Sequence, residues 1–254
     1  MPNAERFALH RPELLPALQR GERKIISLMS SDRRSIPAGR TLVEGDAEHP
    51  FVYRLVQGWT GRVRTLPDGR NQYILVFLPG DLFAVKSMFV NRHPDSIVTL
   101  SDTVVELIDH RKLRDICDQD PDVSMRCAWQ IVEEERRLHS WIVSLGRGRA
   151  EERLAMLIAE LHGQLVFSGT IARDAREFFL PMTQSQLGDC LGLSAVHINR
   201  VLKAIRDNGI ATFRNQRMVI HDLDALGRVA DPLRDFYERT NPAFGGDASN
   251  SREA

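Results

Sequence analysis

Between Ile36 and about His110 the apolar residues fall in short runs of strand length, with no helical spacing. Phe51–Val56, Gly61–Leu66, Gln72–Leu78 and Ser96–Leu100 are rich in Val, Ile, Tyr and Phe, and glycines at 39, 45, 58, 61, 69 and 80 punctuate them. Branched and aromatic side chains suit a pleated surface, and Pro67-Asp68-Gly69 is a hairpin-type turn signal between two runs. The pattern predicts a small all-β barrel or roll closing near His110. Both flanks switch to helical periods. Residues 1–35 read as amphipathic helix on Leu14, Leu15, Leu18, Ile25, Ile26 and Leu28. Across 121–145, Ala128, Ile131, Leu138, Ile142 and Leu145 recur at alternating steps of three and four, interrupted at Glu135. Such an a/d seam suits pairing with a second helix, although periodicity alone also allows packing on the chain's own β domain.

Gly146-Arg147-Gly148-Arg149 then predicts a break, followed by a second amphipathic helix over Glu151–Leu165 and an irregular connector over 166–181. Thr183 with Gln186 forms a capping box that opens a short helix, which Leu191-Gly192 ends. Ser194 caps a second helix reaching Asn208-Gly209; two helices joined by a tight glycine turn form a helix-turn-helix. On the second helix Ile198, Val201, Leu202 and Ile205 share one side, for packing against Leu187 and Leu191. Val196, Asn199, Arg200 and Lys203 share the other, at i, i+3, i+4 and i+7. Ile210–Phe213 and Met218–Ile220 flank Arg214-Asn215-Gln216-Arg217 as a hairpin wing, and Asp222 caps a last short helix.

Charge sharpens this picture locally. The 254 residues carry 34 basic and 34 acidic side chains, so the whole chain favours no partner. From Thr183 to Ile220, however, five basic residues (Arg200, Lys203, Arg206, Arg214, Arg217) face two acidic ones (Asp189, Asp207), leaving +3. That excess is the footprint of a phosphate-binding surface. Val196, His197, Asn199 and Arg200 are the candidate base readers. Thr183, Ser194, Lys203, Arg214 and Arg217 are the candidate backbone contacts.

The hydrophobic share of 43% and charged share of 27% fit a globular protein. No apolar run is long enough to span a bilayer or to form a secretory signal core, so no membrane partner is expected. Cys117, Cys127 and Cys190 make no CxxC pair and no disulfide framework, which points to the cytoplasm. The stretch beyond Thr240 is too polar to fold, and a disordered tail is expected over 240–254.

The helix-turn-helix residues Phe179 through Ser194, with Arg200-x-Leu-x-x-Ile-x-x-x-Gly209-Ile210, resemble the Crp/Fnr transcription regulators. Ile36-Pro-Ala-Gly39, Glu44-Gly45-Asp46, Leu55-Val56-x-Gly58, Asp68-Gly69-Arg70 and Pro79-Gly80-Asp81 resemble that family's cyclic-nucleotide-binding-like β-roll. The resemblance implies an α+β chain with three parts. These are a jelly-roll sensor domain over 12–120, a dimerisation helix over 121–145 and a winged helix-turn-helix over 146–230. It also implies a homodimer joined through Ala128, Ile131, Leu138, Ile142 and Leu145, reading a two-fold symmetric site in double-stranded DNA. RNA polymerase is the further partner such a regulator implies.

Three departures matter. Where cyclic-AMP-responsive members carry Gly-Glu, this chain has Ala84-Val85. Where they carry Arg-Ser or Arg-Thr, it has Asp95-Ser96, so cyclic nucleotide binding in the usual manner is not expected. No cysteine precedes Cys117, which removes the clustered cysteines of an iron–sulfur sensor. His49, His93 and His110 are haem-ligand candidates that nothing singles out. Phe83, Met88 and Phe89 read as core, with an apolar effector pocket as the alternative. No cofactor is predicted and the effector is not identified. The motif Glu expected two residues after Ser194 is Val196, so the half-site differs from the family's usual one. No His-x-His pair occurs over 36–110, and neither a GxSxG elbow nor a phosphate loop ending in Gly-Lys-Ser/Thr occurs, so no enzyme is expected.

Overall fold

The structure, a computed structural model, describes residues 11–234; the segment 1–10 of the N-terminal helix expectation and the 240–254 tail lie outside the described residues. The chain divides into two compact units, which meet in sequence between Arg137 and Leu138.

In the first unit, α1 (Leu15–Met29) precedes β1 (Arg33–Ile36), β2 (Thr41–Val43), β3 (Phe51–Gln57), β4 (Thr60–Thr65) and β5 (Asn71–Phe77). β6 (Leu82–Phe83), a 3-10 turn at Val85–Met88, β7 (Ser96–Thr99) and β8 (Thr103–Asp109) complete the strands. They form two antiparallel four-stranded sheets, ordered β1-β8-β3-β6 and β2-β7-β4-β5. This is the predicted roll. Alternation places Val52, Leu55, Leu75, Phe77, Ile97, Val105 and Leu107 in its core. β1, β2, β6 and β8 went unread in the sequence because two are very short, β1 is mostly exposed and β8 follows a turn without a glycine.

α2 (His110–Gln119), capped by Asp109 accepting from the amides of Arg111 and Lys112, leads into α3 (Pro121–Arg147). α3 runs past the break expected at Gly146 and stops only at Gly148, whose amide still bonds the Ser144 carbonyl at 2.9 Å. Glycine inside a helix costs about 1 kcal/mol, too little to end a helix this long. The inward side of α3 in this unit carries Val123, Arg126, Cys127, Gln130, Glu134 and Arg137, while Met125, Ala128, Ile131 and Val132 are exposed. α1 passes so close to the start of α3 that a Cβ on Gly21 would sit 2.1 Å from the Asp122 carbonyl oxygen.

In the second unit, α4 (Ala150–Phe167) is followed by β9 (Glu177–Phe179), α5 (Gln184–Leu191) and α6 (Ala195–Asp207). β10 (Ala211–Arg214), β11 (Arg217–Ile220) and α7 (Leu223–Ala230) close the domain. β9 lies inside the segment expected to be an irregular connector. It pairs with β11, making the wing a three-stranded sheet in the order β10-β11-β9. Three residues offer too little alternation to be read as a strand. The neighbouring strand, which supplies their hydrogen bonds, is nearly forty residues away in sequence.

Candidate nucleic-acid interface

The helix-turn-helix is fixed by its caps. Thr183 Oγ1 accepts from the Gln186 amide at 3.1 Å, and Gln186 Oε1 accepts from the Thr183 amide at 2.8 Å, the reciprocal box the sequence predicts. Gly192 ends α5 at φ +64, and a Cβ on Gly188 would come within 2.6 Å of the Leu193 carbonyl oxygen. Both glycines are therefore required, one for handedness and one for close approach. Ser194 Oγ then accepts from the His197 amide at 3.3 Å to start α6.

α6 presents the two faces its periodicity implies. Ile198, Val201 and Ile205 are buried with Leu187 and Leu191; Leu202 is only half-buried. Val196, His197, Asn199, Arg200 and Lys203 are exposed, Val196 by 63%. Asn199 is less free than its exposure suggests, because Nδ2 donates to the Ala195 carbonyl one turn back at 3.0 Å. Thr183 and Ser194 spend their oxygens as acceptors for the caps, and each hydroxyl retains a proton to donate.

The wing turns through Asn215 and Gln216 at φ +51 and +57, the paired left-handed conformation of a two-residue hairpin. Arg214 and Arg217 face each other across it and are exposed. Arg217 is already engaged, since its Nη1 donates to the Glu177 carboxylate on β9. Counting from Glu177 to Ile220 lowers the local excess to five basic against three acidic residues, or +2.

Two arginines outside the helix-turn-helix join this surface. An open groove of about 920 Å³ is lined by Val196, His197 and Arg200 of α6, by Arg149 at the start of α4 and by Arg228 of α7. Arg149 precedes α4 with its amide donating to Glu152 at 2.8 Å, leaving the guanidinium on the surface. Neither arginine lies in the motif window, and only the packing of α4 on α6 and of α7 on α4 brings them in.

The expected dimer residues divide. Ala128 and Ile131 are exposed, and Ile142 is exposed by 67% with Val143 beside it. Leu138 and Leu145 are half-buried. Leu145 lies against its own helix-turn-helix, where a Cβ on Gly192 would meet it at 3.5 Å.

In the sensor unit Ala84 and Val85 are buried, Ala84 in the left-handed region at φ +58. Asp95 does not stand as a bare negative charge: it accepts from Arg64 Nε at 2.7 Å, and Ser96 Oγ accepts from the Gly45 amide at 3.0 Å. Arg62 pairs with Glu134 at 2.8 Å and stacks over Phe77. Phe83 and Met88 are core, but Phe89 is 72% exposed and belongs to neither the core nor an apolar pocket. His49 stacks on Tyr53, and burial together with the charges of His93 and His110 holds its pKa down to about 4. His110 Nδ1 bonds the Ser87 carbonyl at 2.6 Å. Among the described residues no group of three or more His, Cys, Asp or Glu is placed to hold a metal, and no helix is long and apolar enough to cross a membrane.

Residues 33–120 match the cyclic nucleotide-binding domain family, and residues 152–229 match the Crp-like helix-turn-helix domain family. A probable transcriptional activator of Rhizobium leguminosarum bv. viciae is 26% identical over 215 residues, covering 84% of this chain and 87% of that protein. The fumarate and nitrate reduction regulatory protein of Escherichia coli K12 is 26% identical over 202 residues, 80% of each chain. The solved structure of FixK2 from Bradyrhizobium japonicum superposes with a TM-score of 0.70 at 26% identity, covering 78% of this chain and 96% of that one. The chain belongs to the Crp/Fnr family. This Crp/Fnr chain is a transcription regulator with a helix-turn-helix DNA-binding domain, and its relatives with that domain are bacterial regulators. Its α+β architecture of β-roll, long helix and C-terminal helix-turn-helix is that of its structural neighbours.

Proposed function

We propose that this regulator binds a two-fold symmetric operator as a homodimer, each protomer placing α6 in the major groove, with RNA polymerase as the further partner. The observation that carries the reading is the outward face of α6, where Arg200 stands exposed one turn after Val196 beside the groove flanked by Arg149 and Arg228. A guanidinium there can reach guanine O6 and N7 together, the commonest specific contact. Val196 has no acceptor for a cytosine amine, so the half-site differs from that of relatives with a carboxylate at this position. Lys203, Arg214, Arg217, Thr183 and Ser194 serve the phosphate backbone, with Arg149 and Arg228 added to them. The division of labour follows the family: sensor domain 12–120, dimer helix 121–145, DNA-binding domain 146–230.

Arg200→Ala flattens preference at one symmetric base-pair position per half-site, losing roughly 1–3 kcal/mol of discrimination. A titration against single-base operator variants measures this; a uniform loss with preferences intact would remove Arg200 from direct readout.

The sensor domain, in this reading, does not take cyclic AMP in the usual way. Val85 offers no carboxylate to a ribose hydroxyl, and the guanidinium nearest Asp95 is neutralised by it. Calorimetry of the full chain with cyclic AMP shows no heat of binding at micromolar ligand; a micromolar dissociation constant overturns the assignment.

A further inference from the structure

α2 ends at Gln119 and α3 begins at Pro121, so Asp120 alone turns the corner between them. The corner is held firmly. Asp120 Oδ1 accepts from the amide of Asp122 at 3.0 Å and from Lys24 Nζ at 2.9 Å, and Ser124 Oγ donates to the Cys117 carbonyl. Its consequence is that Cys117, in the last turns of α2, and Cys127, in the second turn of α3, hold their sulfurs 4.0 Å apart. Both are free thiols.

Their surroundings differ. Cys127 is buried in the cluster of Ile25, Met29, Leu113 and Val123, whereas Cys117 packs against that cluster from its edge and is half-buried. The hydrogen bond with Cys127 lowers the pKa of the Cys117 thiol, against burial and the nearby charges of Asp118 and Asp120. Contact with Cys117 and burial push the Cys127 thiol far up. The half-buried sulfur is thus the more readily ionised of the two, and the buried one lies directly behind it. A thiolate is the nucleophilic form of cysteine.

We propose that Cys117 and Cys127 form a redox modification site, in which hydrogen peroxide oxidises Cys117 and Cys127 resolves it to a disulfide. The Cys117 thiolate attacks one peroxide oxygen, the O–O bond breaks, and the departing hydroxide takes a proton to become water. Cys117 is now a sulfenic acid. Cys127 gives up its proton and its sulfur attacks Cys117 Sγ. The S–S bond forms as the S–OH bond breaks, and hydroxide leaves with that proton as a second water. Two thiols lose two electrons and two protons, and one peroxide is reduced. The sulfurs must close from 4.0 Å to about 2.05 Å, drawing the start of α3 towards the end of α2. That segment carries Met125, Ala128 and Ile131, so oxidation acts on the helix assigned to dimer contact. The chemistry itself does not depend on DNA binding.

The test is peptide mapping of the full chain after treatment with a few equivalents of hydrogen peroxide. Trypsin cleaves at Arg126, between the two cysteines, so the expected product is a linked pair of peptides that dithiothreitol separates, with Cys190 still alkylatable. In Cys127→Ala the reaction stops at Cys117, which dimedone labels. In Cys117→Ser neither the adduct nor the link forms. Dimedone competition in the unmutated protein, also mapped to Cys117, gives the same information without disturbing the core. Recovery of both thiols unchanged after peroxide, or first labelling at Cys127, overturns the proposal.

Discussion

The two units treat charge in opposite ways. The sensor unit buries it. Arg126, 1% exposed, donates to Glu22 at 2.6 Å and reaches Gln130 and the Gly80 carbonyl; Arg54 bonds Glu106 at 3.0 Å; Arg62 bonds Glu134. These bonds join α1 to α3, α3 to β4 and β3 to β8. The DNA-binding unit instead builds its core mainly from Leu154, Leu157, Leu161, Leu187, Leu191, Ile198 and Ile205, and leaves most of its arginines on the surface, with Glu160 buried and Arg153 half-buried as exceptions. Buried ion pairs add little net stability but penalise any arrangement that separates them. Exposed ones cost little to exchange for a phosphate. The inward charges fit an element that must dock helices in one register, and the outward charges fit one that must release its partners to bind DNA.

The sharpest way to break this contrast is Arg126→Ala. Removing one partner of a buried pair leaves Glu22, fully buried, without its closest cation, and the expected loss is about 3–5 kcal/mol. Arg200→Ala in the other unit stays within about 0.5 kcal/mol, as surface substitutions do. Urea denaturation of both variants checks the pair. Replacing Glu22 and Arg126 together with Leu and Met recovers most of the loss, since what is costly is the stranded charge. An unchanged urea midpoint for Arg126→Ala would show that the buried network is not what holds α1 and α3.

The next effect concerns the outer face of α3. Ile131→Glu with Ile142→Glu places four charges per dimer where apolar contact is proposed. A buried Ile side chain contributes about 1.5–3 kcal/mol, so dimer affinity falls by at least a hundredfold and operator binding falls with it. Sedimentation showing an intact dimer would move the interface elsewhere. Leu145 makes a poorer probe, because it packs on its own helix-turn-helix.

How much of this was legible depends on how local the cause is. The helix-turn-helix was readable because its determinants, the Thr183–Gln186 box, Gly192 and the Ser194 cap, each act over no more than four positions. Four of the roll's strands, β3, β4, β5 and β7, were likewise visible as alternation closed by turns. What escaped reading was set by distant partners. β9 exists because β11 lies beside it, Arg149 and Arg228 reach the reading face through packing, and Asp95 is paired because Arg64 faces it from β4. The Cys117–Cys127 contact was invisible for a related reason. Ten residues of spacing say nothing about distance until the single-residue corner at Asp120 folds α2 against α3.

The smallest effect tests the outward half of the contrast. Glu177 holds Arg217 in an exposed pair, and such pairs are worth about 0.2–1 kcal/mol. If Arg217 meets a phosphate, it must first leave this carboxylate, and a negative charge then remains near the backbone. Glu177→Gln removes both costs. It should tighten specific and random DNA alike by roughly 1.5- to 5-fold, the factor to which that energy corresponds, without changing base preference. Arg217→Ala should weaken both and reduce the salt slope by about one unit. The two substitutions are informative together, in a binding titration at two salt concentrations. With Arg217 absent, Glu177→Gln retains only the relief of repulsion, so its gain must shrink. An equal gain in both backgrounds would mean that Glu177 acts as a plain repulsive charge and that Arg217 makes no phosphate contact.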